Sequence, residues 1–427
     1  MDGIKVSIVC IAYNHEKYIR EALDSFLEQK TDFGYEIIVH DDASTDKTPE
    51  IIQDYERRHP DIIQSVCQKE NQFSKKKNFQ FLSPLYNLCK GKYIAFCDGD
   101  DFWIDRYKLQ LQVNFLEEHP DFILTVHNAL RLNCSDNTIK TMDPFIYDKE
   151  VTAEEIIMLY HGMVPTASMV MRAEVLKKRM AESQEKIFQE CGVGDWPVQL
   201  YCLARGRIYY FSRIMSVYRL FHEGAWSKAW STDFNKRFEH SMMMTDFLKK
   251  YNQYTDYAYN NYIINRIQRY IYTILETDGE EQKKLLWKKC EQYDEKNADT
   301  EELKRLFMLL YDENYKEERL KKFSERHRHV VIFGAGDYAA RLTKQLERQG
   351  IIFDGYAVSE EKGKEKIYLG KPVWELNNIP FISDGLGIIV GIKPVSWNQL
   401  ADVLEKNRMK EYICPFLFDI QAMISTK

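Results

Sequence analysis

The apolar and polar positions in the first third of the chain alternate between two periods. Runs rich in β-branched residues, "KVSIVCIAYN" and "YEIIVHDD", predict buried strands, and "IIQSVCQ" and "KYIAFC" predict two more. Between them, apolar residues recur at spacings of three and four, which predicts helices with one buried face. Short strands that alternate with helices indicate an α/β fold with a mainly parallel sheet covered on both faces.

The pattern of apolar and polar residues changes twice further along the chain. From Phe234 to Arg326 proline is absent and apolar residues recur at helical spacing, which predicts a helical linking region. At Val330 strand and helix patterns return in "VVIFGAGDYAARLTKQLERQG", which predicts a small βαβ module. We therefore expect three parts, residues 1–232, 233–327 and 328–427.

Composition narrows the classes of function and location. The formal net charge of −6 and the lack of a long basic stripe argue against nucleic-acid binding. The sequence contains no uninterrupted run of about 18 apolar residues, so it predicts no membrane-spanning helix. The first residues do not resemble a secretory signal. The nine cysteines form no CxxC pair, which is typical of reduced thiols. We expect a cytoplasmic protein; association with the inner face of the plasma membrane and the oligomeric state stay open.

A cluster of carboxylates follows the fourth predicted strand. "AFCDGDDFW" carries Asp98, Asp100 and Asp101 directly after an apolar run. A tight turn would explain Asp98 and Gly99 but has no use for the two further aspartates. Three close carboxylates repel one another unless a cation holds them, and such oxygen ligands suit Mg²⁺ or Mn²⁺. The residues alone leave a turn and a metal site both open.

A second acidic pair ends the second predicted strand. Asp41 and Asp42 stand in "VHDDASTD". Helix capping would explain Asp46 or Thr48 better than two adjacent aspartates at a strand end. In open α/β sheets ligands bind at the carboxyl ends of the strands. A carboxylate there can accept hydrogen bonds from a base or a ribose.

Three stretches taken in order resemble family-2 glycosyltransferases, the inverting nucleotide-sugar enzymes with the GT-A fold, which implies an α/β fold with a mixed sheet. They are "VSIVCIAYNHEKYIREALDSFLEQ", "EIIVHDDASTDKTPEII" and "KGKYIAFCDGDDFW", and the resemblance covers Val6 to Ser227. The subtype is similar to bacterial transferases that build surface polysaccharides. The resemblance implies a nucleotide-sugar donor (a UDP-sugar first of all), a glycan or lipid-linked glycan acceptor, Mn²⁺ or Mg²⁺, and inversion at the anomeric carbon.

The same resemblance implies roles for residues on the donor side. It places Tyr13 and Asn14 beside the nucleotide, Asp42 with Asp41 on the base or ribose, and Asp98 and Asp100 on the metal and its diphosphate, with Asp100 the more direct ligand. His40 departs from the family pattern, where many relatives carry a small polar residue or an aspartate, and a partly buried strand histidine is the simpler interpretation. Lys75, Lys76 and Lys77 are better explained as a solvated loop than as a diphosphate site.

A later stretch, "GVGDWPVQLYCLARGRIYYFSRIMSVYRLFHEGAWS", extends the resemblance to the acceptor side. Asp195 precedes a helical pattern and could cap it; the resemblance makes it the general base under the acceptor, and both roles can hold. Arg219, His222 and Ser227 match the segment that contacts the diphosphate or the metal. Thr166, Ser168 and Arg172 match the segment that shapes the acceptor pocket.

The last module contains "FGAGDYA" between a predicted strand and a predicted helix. Gly334 and Gly336 would let the backbone approach a phosphate at the helix N-terminus. A bound NAD also calls for an acid at the end of the next strand, where Ser359 stands. The module resembles small Rossmann-like domains fused to bacterial surface-glycan enzymes. Two alternatives to a transferase thus remain: a non-catalytic nucleotide-sugar-binding scaffold, and an NAD(P)-linked function of this module.

Overall fold

A computed structural model describes most of the chain. The described residues are 3–76, 82–158, 164–181, 187–188, 194–223, 233–275, 280–292, 304, 313–359, 366–392, 403–404, 409 and 411–413. Two compact units divide it, Met1–Ile267 and Gln268–Lys427. The three-part division at 232/233 and 327/328 remains a prediction.

A large mixed sheet forms the centre of the first unit. Its strands are β1 (Ile4–Ala12), β2 (Gly34–Asp41), β3 (Ile63–Cys67), β4 (Tyr93–Phe96), β5 (Phe102–Trp103), β6 (Phe122–Asn133), β7 (Thr138–Thr141), β8 (Lys149–Glu150), β9 (Val170–Arg172) and β10 (Arg207–Leu220). The order is β3-β2-β1-β4-β9-β6-β10-β5, with β7 on β6 and β8 on β10. The strands β1 to β4 run parallel, and β9 is antiparallel to both β4 and β6. The carboxyl ends of β1, β2 and β4 therefore meet at one edge.

Helices alternate with these strands along the first unit, and further helices follow in the region predicted to be helical, where those beyond Gln268 belong to the second unit. They are α1 (Ile19–Leu27), α2 (Thr48–Arg58), α3 (Gln72–Lys76), α4 (Ser83–Leu88), α5 (Lys108–Glu118), α6 (Ala153–Met158), α7 (Ala173–Ala181), α8 (Asp195–Leu203), α9 (Phe234–Tyr254), α10 (Asn260–Leu275), α11 (Glu280–Gln292) and α12 (Glu313–Arg326). None of the helices in the described ranges combines the length and the apolar character that crossing a bilayer requires.

Helix α1 shows how the apolar spacing produces the packing. Ile19, Ala22, Leu23 and Phe26 are fully buried, and they join the strand core of β1 and β4. Each large apolar side chain in such a core contributes roughly 1.5–3 kcal/mol relative to an exposed position. This burial fixes α1 under the end of β1, next to the acidic edge.

Helix α9 belongs to the first unit because its side chains pack on α8. The Tyr251 hydroxyl donates to the Leu200 carbonyl oxygen at 2.9 Å, and the Arg205 guanidinium donates to the Tyr254 hydroxyl at 2.5 Å. The predicted linking region thus begins with a helix that contacts α8 and the residues just after it.

The second unit contains a smaller sheet. Its strands are β11 (His329–Phe333), β12 (Gly355–Val358), β13 (Ile367–Tyr368), β14 (Lys371–Glu375), β15 (Leu386–Val390) and β16 (Tyr412–Ile413), in the order β13-β14-β12-β11-β15-β16. Helix α13 (Asp337–Arg348) connects β11 to β12, which pair in parallel. The prediction of an α/β fold with a mixed sheet, helices and a small Rossmann-like βαβ module is confirmed.

Candidate active site

The DGDD turn docks its backbone on the end of β1. The Cys97 N–H donates to the Val9 carbonyl at 3.1 Å and the Gly99 N–H donates to Ile11 at 2.8 Å. Within the turn, the Asp101 N–H donates to the Asp98 carbonyl at 3.1 Å. A turn is therefore present, and it presents its carboxylates at the edge where β1, β2 and β4 end.

The three carboxylates of this turn lie together. One oxygen from each of Asp98, Asp100 and Asp101 falls within 4.8 Å of the others. Burial, with the charges of Asp100 and Asp195, raises the pKa of Asp98 to about 8. Burial and the charge of Asp100 also hold the pKa of Asp101 well above its usual range. Crowded, partly buried carboxylates of this kind fit a divalent cation, which would relieve their repulsion.

His222 contacts the cluster through Asp100. Its Nε2 lies 2.9 Å from Asp100 Oδ2, and its Nδ1 lies 2.8 Å from the Glu223 carbonyl oxygen. Burial lowers the pKa of His222, but the Asp100 carboxylate outweighs it and the net shift is upward. Burial likewise opposes ionisation of Asp100, yet His15 and His222 bring its pKa below the ordinary value.

Arg219 supports the turn from the other side. Its backbone N–H donates to Asp101 Oδ1 at 2.8 Å, and its guanidinium donates to the Asp100 carbonyl at 2.5 Å. The guanidinium also pairs with Glu21 of α1 and packs over the ring of Tyr18. The structure thus places Arg219 beside the cluster, buried and already engaged with protein groups.

Asp41 and Asn14 connect the ends of β1 and β2. The Asp41 carboxylate accepts hydrogen bonds from the Ser44 N–H and hydroxyl. Asn14 has a positive φ of 57°; its N–H donates to Ser44 Oγ and its Oδ1 accepts from the Thr45 N–H, both at 2.8 Å. The neighbouring Tyr13 is 44% exposed. These contacts form the floor of a loop at the predicted nucleotide edge.

Asp42 binds the first N–H groups of a helix, a role that the sequence pattern favours for Asp46 or Thr48. Its two carboxylate oxygens accept the N–H groups of Gln72 and Phe73, at 2.7 and 3.0 Å, where α3 begins. Its carboxylate therefore ties the end of β2 to α3. His40 is buried, with Nε2 at 3.2 Å from Gln68 Nε2. Contact of Asp41 or Asp42 with a base or ribose stays a prediction.

Asp195 is the first residue of α8. The cap position is Gly194, and Asp195 Oδ1 accepts the Trp196 N–H at 2.7 Å. Burial raises the pKa of the Asp195 carboxyl, and its charge raises that of Asp98. The Asp195 carboxylate therefore lies close enough to Asp98 for its charge to act on the aspartate cluster, although about 95 residues separate them in sequence.

The segment predicted to shape an acceptor pocket divides between two places. The Thr166 side chain hydrogen-bonds Asp98 and lowers its pKa, and the Ser168 hydroxyl donates to Pro165 O at 2.7 Å. Arg172 lies at the far end of β9, where its guanidinium donates to the Leu116 and Phe122 carbonyls at 2.6 and 2.9 Å. Thr166 is thus at the site and Arg172 is not.

Other predicted positions lie away from the cluster or outside the described residues. Lys75 is exposed and pairs with Glu70, as expected for a solvated side chain, but it lies in α3 and not in a loop. Ser227 and Lys77 lie outside the described residues. In the second unit, Gly334 has a φ of +117°, and a Cβ there would be 2.8 Å from the Gly391 oxygen. Gly336 precedes α13, and a Cβ added there would meet no atom within 4 Å.

Three residues at the site were missed in the sequence. His15 lies 3.8 Å from Asp100 through its Nε2. Glu21 pairs with Arg219. Burial, with the charges of Asp101, Asp195 and the rest of the cluster, raises the pKa of the Tyr218 phenol. His15 directly follows the Tyr-Asn pair and Tyr218 precedes Arg219, so proximity to predicted site residues was the available signal.

Comparisons with known proteins show which family the N-terminal part of the chain resembles. The profile of glycosyl transferase family 2 matches residues 7–178. The protein Rv1520 of Mycobacterium tuberculosis (strain H37Rv) is 32% identical over 243 residues, 56% of this chain and 66% of its own length. The dTDP-rhamnosyl transferase RfbG of Shigella flexneri is 30% identical over 204 residues, 46% of this chain and 65% of RfbG.

A solved structure, Staphylococcus aureus TarS 1–349 in complex with UDP-GlcNAc, aligns with 16% identity and a TM-score of 0.44. That alignment covers 78% of this chain and 95% of TarS 1–349. The predicted resemblance to glycosyl transferase family 2 is confirmed for residues 7–178, in the N-terminal domain. It spans just under two thirds of the mycobacterial relative's length.

Proposed function

We propose that the N-terminal domain transfers a sugar from a nucleotide-diphosphate donor to a hydroxyl of a glycan acceptor. A UDP-sugar is the first candidate donor, a divalent cation (Mn²⁺ or Mg²⁺) assists, and the anomeric carbon is inverted. The product belongs to cell-surface polysaccharide synthesis, and the acceptor is a glycan or a lipid-linked glycan. The work would take place in the cytoplasm, at the inner face of the membrane where the acceptor is lipid-linked.

One observation carries the proposal: an acidic cluster suited to a cation lies within electrostatic reach of a separate carboxylate. The cluster of Asp98, Asp100 and Asp101 occupies the carboxyl edge of the parallel strands, and the charge of Asp195 acts on Asp98. Sugar transfer needs both elements, because one group must stabilise a leaving diphosphate while another accepts a proton from the incoming hydroxyl.

The residues of the chain divide this work. When bound, a divalent cation supplies the positive charge that a departing diphosphate requires. Asp98 and Asp100 would hold that cation, with Asp101 beside them, while Arg219 and His222 keep the turn in place. Asp195, fixed at the start of α8, would accept the proton of the acceptor hydroxyl. A single displacement from the opposite face inverts the anomeric configuration.

The nucleotide would lie along the ends of β1 and β2. Tyr13 is exposed there and Asn14 is held by the Ser44–Thr45 loop. Asp41 and Asp42 accept backbone hydrogen bonds, but a carboxylate oxygen has a second lone pair for a ribose hydroxyl or a base N–H. The relatives RfbG and TarS, whose names give dTDP-rhamnosyl and N-acetylglucosaminyl transfer, support testing both pyrimidine nucleotides.

The test uses the purified full chain and a panel of UDP- and dTDP-sugars with Mn²⁺. A true donor at a hundred times its Kd should stabilise the fold by about 2.7 kcal/mol, which a thermal melt detects. The selected donor is then followed by nucleotide release with glycan acceptors. Asp100→Asn is the matched variant, because it keeps the size of the side chain and removes its charge.

The outcomes separate the alternatives. Metal-dependent nucleotide release that Asp100→Asn abolishes supports the transferase. Donor binding with no turnover on any acceptor would favour a nucleotide-sugar-binding scaffold. Tight NAD binding lost on replacing Gly336 by a bulky residue would move the function to the second unit.

A further inference from the structure

The imidazole of His15 is fixed in place by the backbone around it. The His15 N–H donates to Thr48 Oγ1 at 2.8 Å. Its carbonyl oxygen accepts the N–H groups of Tyr18 and Ile19, both at 2.9 Å, where α1 begins. The side chain is only 15% exposed. The ring therefore has little freedom to move away from the end of β1.

The position of the His15 ring is not one that stabilises the fold. Its Nδ1 is buried and has no hydrogen-bond partner within the part of the chain that the structure describes. A Cβ on Gly99 would lie 3.0 Å from that nitrogen, so the ring packs directly on the glycine of the DGDD turn. A buried polar group without a hydrogen-bond partner lowers the stability of the fold. A ring retained at such a cost calls for another role.

The other ring nitrogen faces the cluster. His15 Nε2 lies 3.8 Å from Asp100 Oδ2, the same oxygen that His222 Nε2 contacts at 2.9 Å. The two rings stand edge to face, with centroids 6.3 Å apart and planes at 84°. Two imidazoles thus approach the same carboxylate oxygen of Asp100 from different directions.

The imidazoles stand behind the carboxylates and not among them. Among the described residues, the group whose ligand atoms lie close enough to share one ion consists of Asp98, Asp100 and Asp101, without either histidine. Groups that hold a metal ligand without touching the metal are known to matter, since their loss weakens metal binding by roughly 10- to 100-fold. His15 has the geometry of such a group.

We propose that His15 is a positioning residue, which with His222 holds the Asp100 carboxylate in the orientation that faces a cation. The proposal rests on the assignment of Asp100 as a cation ligand in the proposed function. His15 acts through its Nε2, which lies 3.8 Å from Asp100 Oδ2, whereas Nδ1 lies against Gly99.

Three substitutions test which nitrogen matters. His15→Gln can place an amide N–H near the position of Nε2, His15→Asn reaches only the position of Nδ1, and His15→Leu removes both. None of the three adds a charge. His240→Leu is the matched control, since it removes another buried imidazole of the same unit, on α9.

The measurement is Mn²⁺ binding to the full chain without nucleotide, followed by the electron paramagnetic resonance signal of free Mn²⁺. We expect His15→Leu and His15→Asn to weaken Mn²⁺ affinity by about 10-fold, while His15→Gln and His240→Leu stay near the natural chain. Thermal melts of each variant without metal report folding separately. If His15→Leu does not fold, the comparison of Asn with Gln decides.

Two results would overturn the inference. Equal Mn²⁺ affinity in the natural chain, His15→Asn and His15→Leu would show that the ring does not position Asp100. Equal weakening in Asn and Gln would assign His15 a packing role only. Because no sugar donor is present, a chain that binds Mn²⁺ but transfers no sugar would reject the proposed function and leave the role of His15 standing.

Discussion

Replacing Asp195 by asparagine should separate the activity of this carboxylate from its structural role. Asp195 Oδ1 accepts the Trp196 N–H at 2.7 Å at the start of α8. The asparagine amide has an oxygen in the same place, so the helix start should persist. The side chain keeps its size and loses only its ability to accept a proton.

The expected effects on rate and stability have opposite signs. A positioned general base contributes typically about 10²–10⁴-fold, so kcat should fall by that factor with little change in donor KM. Burial raises the pKa of Asp195 above its value in the unfolded chain, so its ionisation at neutral pH destabilises the fold. Asparagine removes that penalty, and the Tm at pH 7 should match or exceed that of the natural chain.

The pH profile gives a second signature. Asp195 must be ionised to accept a proton, so kcat/KM should fall as the pH drops through its raised pKa, above the ordinary value of about 3.9. The assay is nucleotide release with the donor found in the panel, measured from pH 4.5 to 9, with thermal melts alongside. An Asn variant with undiminished kcat would refute the assignment of Asp195 as the base, and a large loss of Tm would refute the expected relief of the burial penalty.

Other consequences of the structure can be tested on single variants. Asp100→Asn, or chelation of metal by EDTA, should lower nucleotide release by roughly 10²-fold or more because charge stabilisation at the diphosphate is lost. Burial lowers the pKa of Lys108 to about 7, so Lys108→Met should raise the free energy of unfolding by about 2–3 kcal/mol near pH 6. The unfolded chain binds the lysine proton more tightly than the folded chain does. The stability gained by the substitution should therefore shrink as the pH rises from 7 to about 10. Gly91→Ala should cost about 1–3 kcal/mol or more in urea unfolding, because its Cβ would lie 2.5 Å from the Ser7 backbone nitrogen. In the second unit, Gly334→Ala should lower the Tm, since its φ is +117°, while Gly336→Ala should change unfolding by no more than about 0.5 kcal/mol.

Three results would contradict the predictions for the cation, for Lys108 and for Gly334. Full activity in EDTA would remove the cation from the proposed reaction. A loss of stability in Lys108→Met would mean that the ammonium, 4.2 Å from the Trp103 ring, stabilises the core more than burial penalises it. Equal Tm changes in Gly334→Ala and Gly336→Ala would show that the positive φ of Gly334 does not decide the effect at that position.

The sequence pattern predicted those features that depend on local spacing. The strands β1 to β4 and the helix α1 follow from β-branched runs and from apolar residues three and four apart. The acidic edge follows from the rule that parallel strands end together, and the structure places Asp41 and Asp98 there. These predictions held because burial of a periodic apolar face is decided within each segment.

Contacts between distant segments could not be predicted in this way. Both carboxylate oxygens of Asp42 accept backbone N–H groups at the start of α3, and the sequence does not predict this contact because α3 is short and lacks a strong periodic signal. Arg172 was placed in the acceptor pocket, yet β9 runs antiparallel to β4 and carries it to the opposite end of the strand. Strand direction, and not residue type, decided that position.

Asp98 is where the two halves of the proposed site meet. From the donor side it is backed by β1 and shares the cluster with Asp100. From the acceptor side Thr166 hydrogen-bonds it and the charge of Asp195 acts on it. A cation bound at Asp98 would withdraw negative potential from Asp195 and favour its ionised form. In the proposed reaction, cation binding at Asp98 would thus favour the form of Asp195 that can accept a proton.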